Sequence, residues 1–527
     1  MKNLEHKASF KKNIFVLSVL VLLSNCGFSQ RQNIPINYSI SQKIEKSILT
    51  SNQNVHTAIK PYQQTFIFPS SYAAVFNDTG DYYYEFTVKL FKENLLNIKE
   101  EDVFLTADPL FNLGTGRTNY TDTTTSIFTN TRGVRVSGNI TSKFSFETRY
   151  YENQFYYPEY LDSIGDARGV AFGLGRSKIF KDRGHDVGMS SGYISYSPIE
   201  ELNLQFGQGK HFIGDGYRSM LLSDNSFNYP YLSISLNLLD GKLFYKTVNA
   251  WMQTLERMPL SASPEALFKR KSGSFYYLSF KPKKQFEIGF FEGVMYRRYE
   301  DSIGEVPVDP SFYIPIIGVG SGLNANNEEN KVVLGINMNI TPIDNIKLYG
   351  QFVMDDFSKT GFQVGGKWFD LFKAKNSWIM LEYNSAVPYL FTKSSENIIQ
   401  SYSHANQELA HPLGASFNEL VVMAHFEKNR FFATARYFYA QKERFGGSIY
   451  GENIFLPNDA ILIAVASEKI SWNYFGGEFG LNLNIKTRMQ IFGNVYSRLE
   501  SGDNWSSNEW FWQIGIRTAL NNFYYEQ

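Results

Sequence analysis

The chain has almost no cysteine and no excess of charge of either sign. Among its 527 residues Cys26 is the single cysteine, and 51 basic residues balance 51 acidic ones. One cysteine cannot supply a disulfide framework or a cysteine-based zinc site. A formal net charge of zero argues against the basic surface of a nucleic-acid-binding protein. We therefore predict no nucleic-acid partner.

Long apolar runs are missing after residue 30. The run from Ile14 to Leu23 follows a basic stretch and precedes a small and polar segment that ends at Gln30. This order is typical of a secretory signal peptide, and the run is too short to span a membrane. We assign residues 1–29 to the signal peptide and predict export to the cell outer membrane.

Cys26 leaves two interpretations of the signal open. In one, Cys26 is lipidated as the first mature residue, with Leu23 three positions before it, although Asn25 fits such a site poorly. In the other, cleavage near Ser29 or Gln30 leaves a mature chain without cysteine.

The sequence also lacks the spacing of known catalytic and metal motifs. The histidines are scattered, and neither a zinc-protease pattern nor a nucleophile elbow occurs. The stretch from Gly207 to Lys210 is followed by His211, whereas a phosphate loop requires Ser or Thr there. We therefore predict a non-enzymatic protein with no catalytic residues, no metal ligands and no cofactor.

Aromatic residues are abundant, at 16% of the chain, and apolar residues alternate with polar ones. For example, Leu334, Ile336 and Met338 alternate with Gly335 and Asn337. In an exported chain this period of two predicts an outer-membrane β-barrel, whose strands show lipid only every second residue. The alternation predicts several polar residues inside the lumen: Glu147, Arg149, Asn337, Lys347, Gln351, Arg436, Asn482 and Arg517.

Connector length separates this barrel from a soluble sandwich, which alternates in the same way. Connectors after even-numbered strands are short and those after odd-numbered strands are mostly long, as in bacterial barrels. The predicted fold is an all-β, transmembrane antiparallel barrel of about 18 strands over residues 102–527. The predicted strands are 103–113, 126–140, 143–155, 187–199, 201–213, 229–239, 241–256, 272–283, 285–298, 331–342, 346–357, 360–371, 376–392, 415–427, 430–442, 471–486, 488–499 and 509–525.

Residues 30–101 do not alternate in this way. Ile40, Ile44 and Ile48 recur at helical spacing, and a second helical stripe runs from Val88 to Ile98. We predict a small helical segment on the periplasmic side, and whether it plugs the barrel stays open.

The connector from Gly214 to Asn228 is the candidate binding site. Strand order predicts that it lies on the extracellular side, facing outward. Its aromatic faces and planar polar side chains suit sugars, and we predict polysaccharide contacts at Tyr217, Arg218, Asp224 and Asn225. An alternative is that the glycines only shape a turn and the connector folds inward to close the pore.

At this connector the sequence resembles the Wzi-type capsule-assembly outer-membrane proteins. The likeness rests on the glycine-bearing strand at 207–209, the turn FIGDG at 212–216, the segment MLLSDN at 220–225 and Pro230. Ile213 and Asp215 replace the Trp and Pro that are usual in that family. The gliding-motility RemB-like branch is closer, because HTAIKPY at 56–62 is also similar. The resemblance implies an eighteen-stranded barrel with an N-terminal helical bundle that acts as a surface lectin.

Three functions remain open from the sequence. The first is binding or organising surface polysaccharide in capsule assembly and gliding motility. The second is a porin or a substrate-specific channel, and the third is an adhesin or gliding component with a protein partner. The expected partners are outer-membrane lipid, surface polysaccharide, the outer-membrane assembly machinery, and gliding or export proteins.

Overall fold

The computed structural model describes residues 32–51, 54–67, 75–76, 80, 82–120, 123–258, 267–445, 451–457, 467–518 and 522–526. The predicted signal peptide and Cys26 lie outside these residues. Eighteen antiparallel strands form a closed barrel, in which the last strand pairs with the first. They are β1 Val103–Tyr120, β2 Thr123–Ile140, β3 Phe144–Tyr156, β4 Gly184–Ile199, β5 Leu202–Gly209, β6 Tyr229–Leu238, β7 Leu243–Arg257, β8 Phe268–Lys283, β9 Phe286–Arg297, β10 Lys331–Ile343, β11 Ile346–Asp355, β12 Lys359–Phe369, β13 Ser377–Ala386, β14 Phe417–Lys428, β15 Phe431–Phe445, β16 Ser467–Asn484, β17 Met489–Ser501 and β18 Ser506–Arg517.

The predicted fold class and strand count are confirmed. Two short strands add to the wall at its ends, Leu96–Lys99 beside β1 and Lys178–Phe180 beside β4. Three predicted strands are too long. β5 ends at Gly209, β13 ends at Ala386 and β18 ends at Arg517, because the residues that follow each of them leave the wall.

The outer face of the wall is apolar and the inner face is polar, as a membrane barrel requires. Large apolar side chains point outward and are exposed along the strands, such as Leu232, Phe290, Met338, Leu381 and Phe479. The residues predicted to face the lumen do so: Glu147, Asn337, Lys347, Gln351 and Asn482 are buried, and Arg149, Arg436 and Arg517 are partly buried. An apolar outer band around a polar interior is the pattern of an outer-membrane barrel.

Connector lengths also follow the predicted asymmetry. The connectors after even-numbered strands are short, as at 200–201, 284–285 and 429–430. Long connectors follow β3, β5, β9 and β13, at 157–183, 210–228, 298–330 and 387–416. The short-turn end corresponds to the periplasmic end of bacterial barrels.

Four α-helices of six residues or more lie outside the wall strands in the described part of the chain. They are α1 Tyr38–Thr50, α2 Glu85–Phe91, α3 Glu159–Arg168 and α4 Val319–Asn324. The first predicted stripe is the buried face of α1. The second is helical only to Phe91, and Ile98 lies in the short strand beside β1, where pairing with the wall overrides the helical spacing. Within the residues described, no helix is both long and apolar enough to cross a lipid bilayer.

Helix α1 lies inside the barrel at its short-turn end. Asn37 caps its first turn by accepting a hydrogen bond from the Ile40 amide. Lys43 pairs with Glu427 at the end of β14, and Lys46 pairs with Asp370 in the turn after β12, each at 2.7 Å. The helix therefore occupies the lumen near the short turns.

The long connector between β9 and β10 packs on the outside of the wall. Residues 306–324, which we term the outer clasp, lie across β7, β8 and β9. Phe312 packs between Trp251 and Tyr296, at ring distances of 5.8 and 5.7 Å. Glu292, midway along β9 and facing outward, accepts hydrogen bonds from the amides of Gly318 and Ser321. The clasp thereby covers a carboxylate that would be costly to expose to lipid.

We predict that Glu292 holds the outer clasp in place. In Glu292→Ala the two amides lose their acceptor, and each buried unsatisfied donor costs about 1–3 kcal/mol. The variant should show new proteolytic cleavage within 306–324 and a lower thermal midpoint. Glu328→Ala, at an exposed position of the same connector, is the matched control. Equal cleavage in both variants would contradict this role.

Candidate functional site

The connector from β5 to β6 enters the lumen instead of projecting outward. Tyr217, Arg218, Asp224 and Asn225 are each at most 4% exposed. The predicted outward position is therefore wrong, and the alternative of an inward fold describes the connector. The physical reason is that its polar side chains find buried partners on the inner face of the wall. We call residues 210–228 the inner loop.

The two stretches that carry the family resemblance meet inside the barrel. Ile59 pairs with Ile213 and Lys60 with Phe212 in a two-stranded antiparallel sheet. The Gly214 amide donates to Ala58, and the Lys60 ammonium donates to the Gly214 carbonyl at 2.6 Å. Burial lowers the pKa of Lys60 to about 8. HTAIKPY is thus the strand partner of the inner loop.

Gly214 is required by this close approach. Its φ of 151° lies outside the usual range of L-residues, and an added Cβ would stand 2.6 Å from the Gln351 side-chain nitrogen. Gln351 donates to the Ile213 carbonyl at 3.0 Å and accepts from the Met220 amide at 2.8 Å. A wall side chain therefore holds both ends of the turn.

Lys347 on β11 joins the inner loop to helix α1. Its ammonium lies 2.6 Å from Asp215 and 3.0 Å from Glu45, and it also donates to the Thr57 hydroxyl. Burial alone would raise the pKa of Asp215, but Lys347 and Lys60 hold that pKa well below its usual range. The pKa of Glu45 is lowered against burial by Lys347 and Lys367. The carboxylates therefore stay ionised inside the barrel.

Tyr217 and Arg218 are held by carboxylates of the wall. Glu382 accepts from the amides of Tyr217 and Arg218 at 2.8 and 3.1 Å. The Arg218 guanidinium pairs with Glu419 at 3.0 Å. Burial would lower the pKa of Arg218, but Glu419 and Glu526 raise it, so the guanidinium stays charged.

The segment 522–526, after the last strand, folds back into the lumen. Tyr524 and Asn522 donate to the Asp224 carboxylate at 2.6 and 2.9 Å. The Tyr217 hydroxyl donates to Glu526 at 3.2 Å. The prediction that β18 continues to residue 525 is therefore wrong, because these aromatic and polar side chains pair with the inner loop instead of with β1.

The long connector 387–416 covers the inner loop from the other end. The Tyr402 hydroxyl donates to the Leu221 carbonyl at 2.7 Å, and the Ser223 amide donates to the Leu409 carbonyl at 2.7 Å. Asn225 donates from its amide side chain to the Glu408 carbonyl at 3.3 Å. Five segments of the described chain fill the lumen, and together we call them the plug. They are helix α1, the segment 54–67, the inner loop, the connector 387–416 and the segment 522–526.

Polar cavities remain between the plug and the wall. One of about 250 Å³ lies at the short-turn end beside segment 32–40, and one of about 140 Å³ lies between α1 and strands β14 to β18. A third, of about 80 Å³, reaches Lys210 and Asp224. Asp224 and Tyr217 each line one of these cavities, whereas Arg218 and Asn225 are held in protein contacts.

Sequence reasoning placed Lys347 and Gln351 in the lumen, but it did not single out the wall carboxylates Glu382 and Glu419 that also hold the inner loop. Glu382 and Glu419 are ordinary inward positions of alternating strands, and Glu526 lies one residue beyond the predicted last strand. The available signal was the row of acidic residues at inward positions of β13 and β14. In the part of the chain described here, no group of three His, Cys, Asp or Glu side chains is placed to hold a metal ion.

The closed wall, its apolar outer band and its filled lumen define a membrane β-barrel of the outer-membrane type with an internal plug. No protein-family model and no curated protein sequence matches the chain. Its structure is similar to Wzi, an outer membrane protein involved in group 1 capsule assembly in Escherichia coli and described as a carbohydrate-binding β-barrel. That likeness has 12% identity and a TM-score of 0.56, and covers 93% of this chain and 99% of Wzi.

Two Pseudomonas aeruginosa barrels are more distantly similar. OpdK, crystallised with vanillate, has 8% identity and a TM-score of 0.45, over 80% of this chain and 99% of OpdK. OprD has 10% identity and a TM-score of 0.41, over 79% of this chain and 96% of OprD. At these identities the similarity to Wzi is one of fold.

We predict that Lys347 is a large contributor to the stability of the plug. Lys347→Met leaves Asp215 and Glu45 without their shared cation, and removing one partner of a buried ion pair costs about 3–5 kcal/mol. The thermal midpoint of the purified barrel should fall strongly. Lys284→Met, which removes a lysine 3.6 Å from the exposed Asp344, should cost at most about 1 kcal/mol. Equal effects would contradict the account of Lys347.

We predict a pH dependence that belongs to Asp215. Its lowered pKa means that ionised Asp215 stabilises the folded state above the unfolded-state pKa of about 3.9. This contribution is lost as the pH falls through the folded-state pKa. The difference in thermal midpoint between the wild type and Asp215→Asn should therefore be largest at neutral pH and shrink in acid. A difference that stays constant from neutral pH to strongly acidic pH would contradict this prediction.

Proposed function

We propose that the protein is an outer-membrane barrel that binds or organises surface polysaccharide in capsule assembly. The observation that carries the proposal is the plug, which fills with packed side chains the space that a general porin keeps for water. A barrel filled in this way is better suited to present a fixed surface than to conduct solutes. Outer-membrane lipid, surface polysaccharide and the assembly machinery are the partners in this proposal.

The similarity in fold to Wzi supports the proposal, because Wzi is a carbohydrate-binding barrel involved in capsule assembly. We include gliding motility and export proteins in the same proposal, because the motifs at 56–62 and 212–216 resemble the RemB-like branch. The pairing of residues 59–60 with 212–213 gives those motifs a shared structural purpose, which is to hold the inner loop.

The predicted sugar contacts at Tyr217, Arg218, Asp224 and Asn225 enter the proposal in a restricted form. Their polar groups are bonded to protein partners, and the connector 387–416 covers them. A sugar would reach them only after that connector opens. In the closed arrangement the four residues contribute by fixing the shape of the plug beneath the extracellular surface.

A substrate-specific channel is the second candidate, and the polar cavities between the plug and the wall favour it. Single-channel recording of the purified protein in planar bilayers separates the two functions. We predict small or no steady conductance for the wild type, because the plug is tied to the wall by buried ion pairs. Large, steady conductance would contradict the polysaccharide proposal and favour the channel. Lys347→Met should raise the conductance, because it weakens the attachment of the plug to the wall. This variant serves as the control that the recording detects an open lumen.

A glycan pulldown tests the inner loop directly. We predict that Tyr217→Ala with Arg218→Ala retains less cell-surface polysaccharide than the wild type, because the plug loses its side-chain contacts to Glu419 and Glu526. Arg176→Ala, at an exposed position, is the control. Heat-dependent gel mobility checks that each barrel is folded, and Tyr217→Phe provides a milder change. Equal retention by folded variants would remove the inner loop from the binding function.

A gene deletion separates the third candidate. Unchanged capsule staining together with lost motility would favour a gliding component with a protein partner over a polysaccharide-binding barrel. Lost capsule staining supports the proposal made here.

A further inference from the structure

The cavity of about 250 Å³ at the short-turn end has an unusual balance of charge. Four of its lining side chains are cationic and one is acidic, and they come from β1, β2, β3 and the turn between β16 and β17. The cations are Arg135, Arg149, Lys486 and Arg488, and the acid is Asp108. Water can fill any luminal cavity. The hydrogen bonds of these charged groups therefore decide whether the cavity is a binding site for something else.

The acidic groups nearby are already engaged. Asp108 accepts from the Asn94 side chain at 2.6 Å and from the Leu95 amide at 2.9 Å. Arg135 and Arg149 share the single carboxylate of Glu147, each at 2.6 Å. Two guanidinium groups on one carboxylate leave a net positive charge in this part of the cavity wall.

Arg488 is the most deeply buried cation of this cavity. It is 5% exposed, and its Nη2 donates to the Ser39 hydroxyl at 3.0 Å. Its Nη1 is buried without a hydrogen-bond partner, and among the described residues it forms no ion pair. Glu427, whose charge acts on Arg488, is bonded to Lys43 at 2.7 Å.

A buried guanidinium with an unused donor is costly, and an oxyanion is the ligand that satisfies it best. Arg488 lines both this cavity and the one of about 140 Å³ beside it, so its side chain is within reach of a ligand in the first. Lys486, half-exposed at the rim, adds another cation. The guanidinium fork matches the paired oxygens of carboxylate and phosphate groups.

We propose that this cavity is an anion site that binds the carboxylate or phosphate group of a small solute entering from the short-turn end. The volume is below the roughly 300–1,000 Å³ of drug-sized ligand sites, which limits the occupant to about the size of one acidic sugar. Arg488 is the main donor, with Arg149 and Lys486 as supporting cations. The site lies at the end of the barrel opposite the extracellular connectors, and it stands whether or not the surface binds polysaccharide.

Isothermal titration of the purified full-length barrel tests the proposal, with glucuronate, inorganic phosphate and neutral glucose as probes. We expect glucuronate or phosphate to bind and glucose not to bind. Binding of glucuronate would identify an acidic sugar as the source of the anion, and binding of phosphate alone would identify free phosphate. Absence of binding by both anions, or equal binding of glucose, would overturn the proposal.

The variants locate the site. Arg488→Gln should weaken anion binding by about tenfold or more, since a hydrogen bond to a charged group contributes about 1.5–3 kcal/mol. Lys486→Gln, at a half-exposed position, should weaken it less and keeps the test decisive if Arg488→Gln fails to fold. Arg270→Gln removes an arginine that is 47% exposed and paired with Glu305, and it should bind as the wild type does. Unchanged affinity in both Arg488→Gln and Lys486→Gln would overturn the assignment.

Discussion

The attachment of the plug to the inner face of the wall depends on one buried ammonium group, that of Lys347. Lys347 projects from β11 into the lumen, where it meets Asp215 of the inner loop, Glu45 of helix α1 and Thr57 of the segment that pairs with the loop. Helix α1, the segment 54–67 and the inner loop are therefore held to the wall at one point. Because ionised groups in a low-dielectric interior are costly without partners, the network favours one arrangement of these segments over alternatives.

The plug changes what a barrel of this width can do. Eighteen strands enclose a lumen wide enough for water, and here α1, the inner loop, the connector 387–416 and the segment 522–526 occupy it. Buried pairs such as Arg218 with Glu419 and hydrogen bonds such as those of Asp224 with Tyr524 and Asn522 tie these segments to the wall and to one another. What remains is a set of small polar cavities. Because the described residues fill the lumen and leave no wide path for solutes, the surfaces at the two ends of the barrel are the parts that can meet a ligand. Binding is therefore proposed ahead of conduction.

The wall could be predicted from the sequence because its rule is local. A period of two, with short and long connectors in turn, determined the barrel and all eighteen strands, and it correctly placed Lys347 and Gln351 in the lumen. The plug could not be predicted in the same way, because its contacts join residues separated by hundreds of positions, such as Tyr217 with Glu526. Tyr524 and Tyr525 follow the aromatic pattern of a strand, yet they leave the wall for partners that no local pattern reveals.

The central claim is that the inner loop lies inside the barrel and pairs with residues 59–60. The most direct measurement is disulfide formation in Ile59→Cys, Ile213→Cys, because these residues are strand partners and antiparallel partners lie within disulfide range. The account predicts a cross-linked product in intact outer membranes, with position 213 protected from a membrane-impermeant maleimide. Failure to cross-link, together with labelling of position 213 from outside the cell, would contradict it.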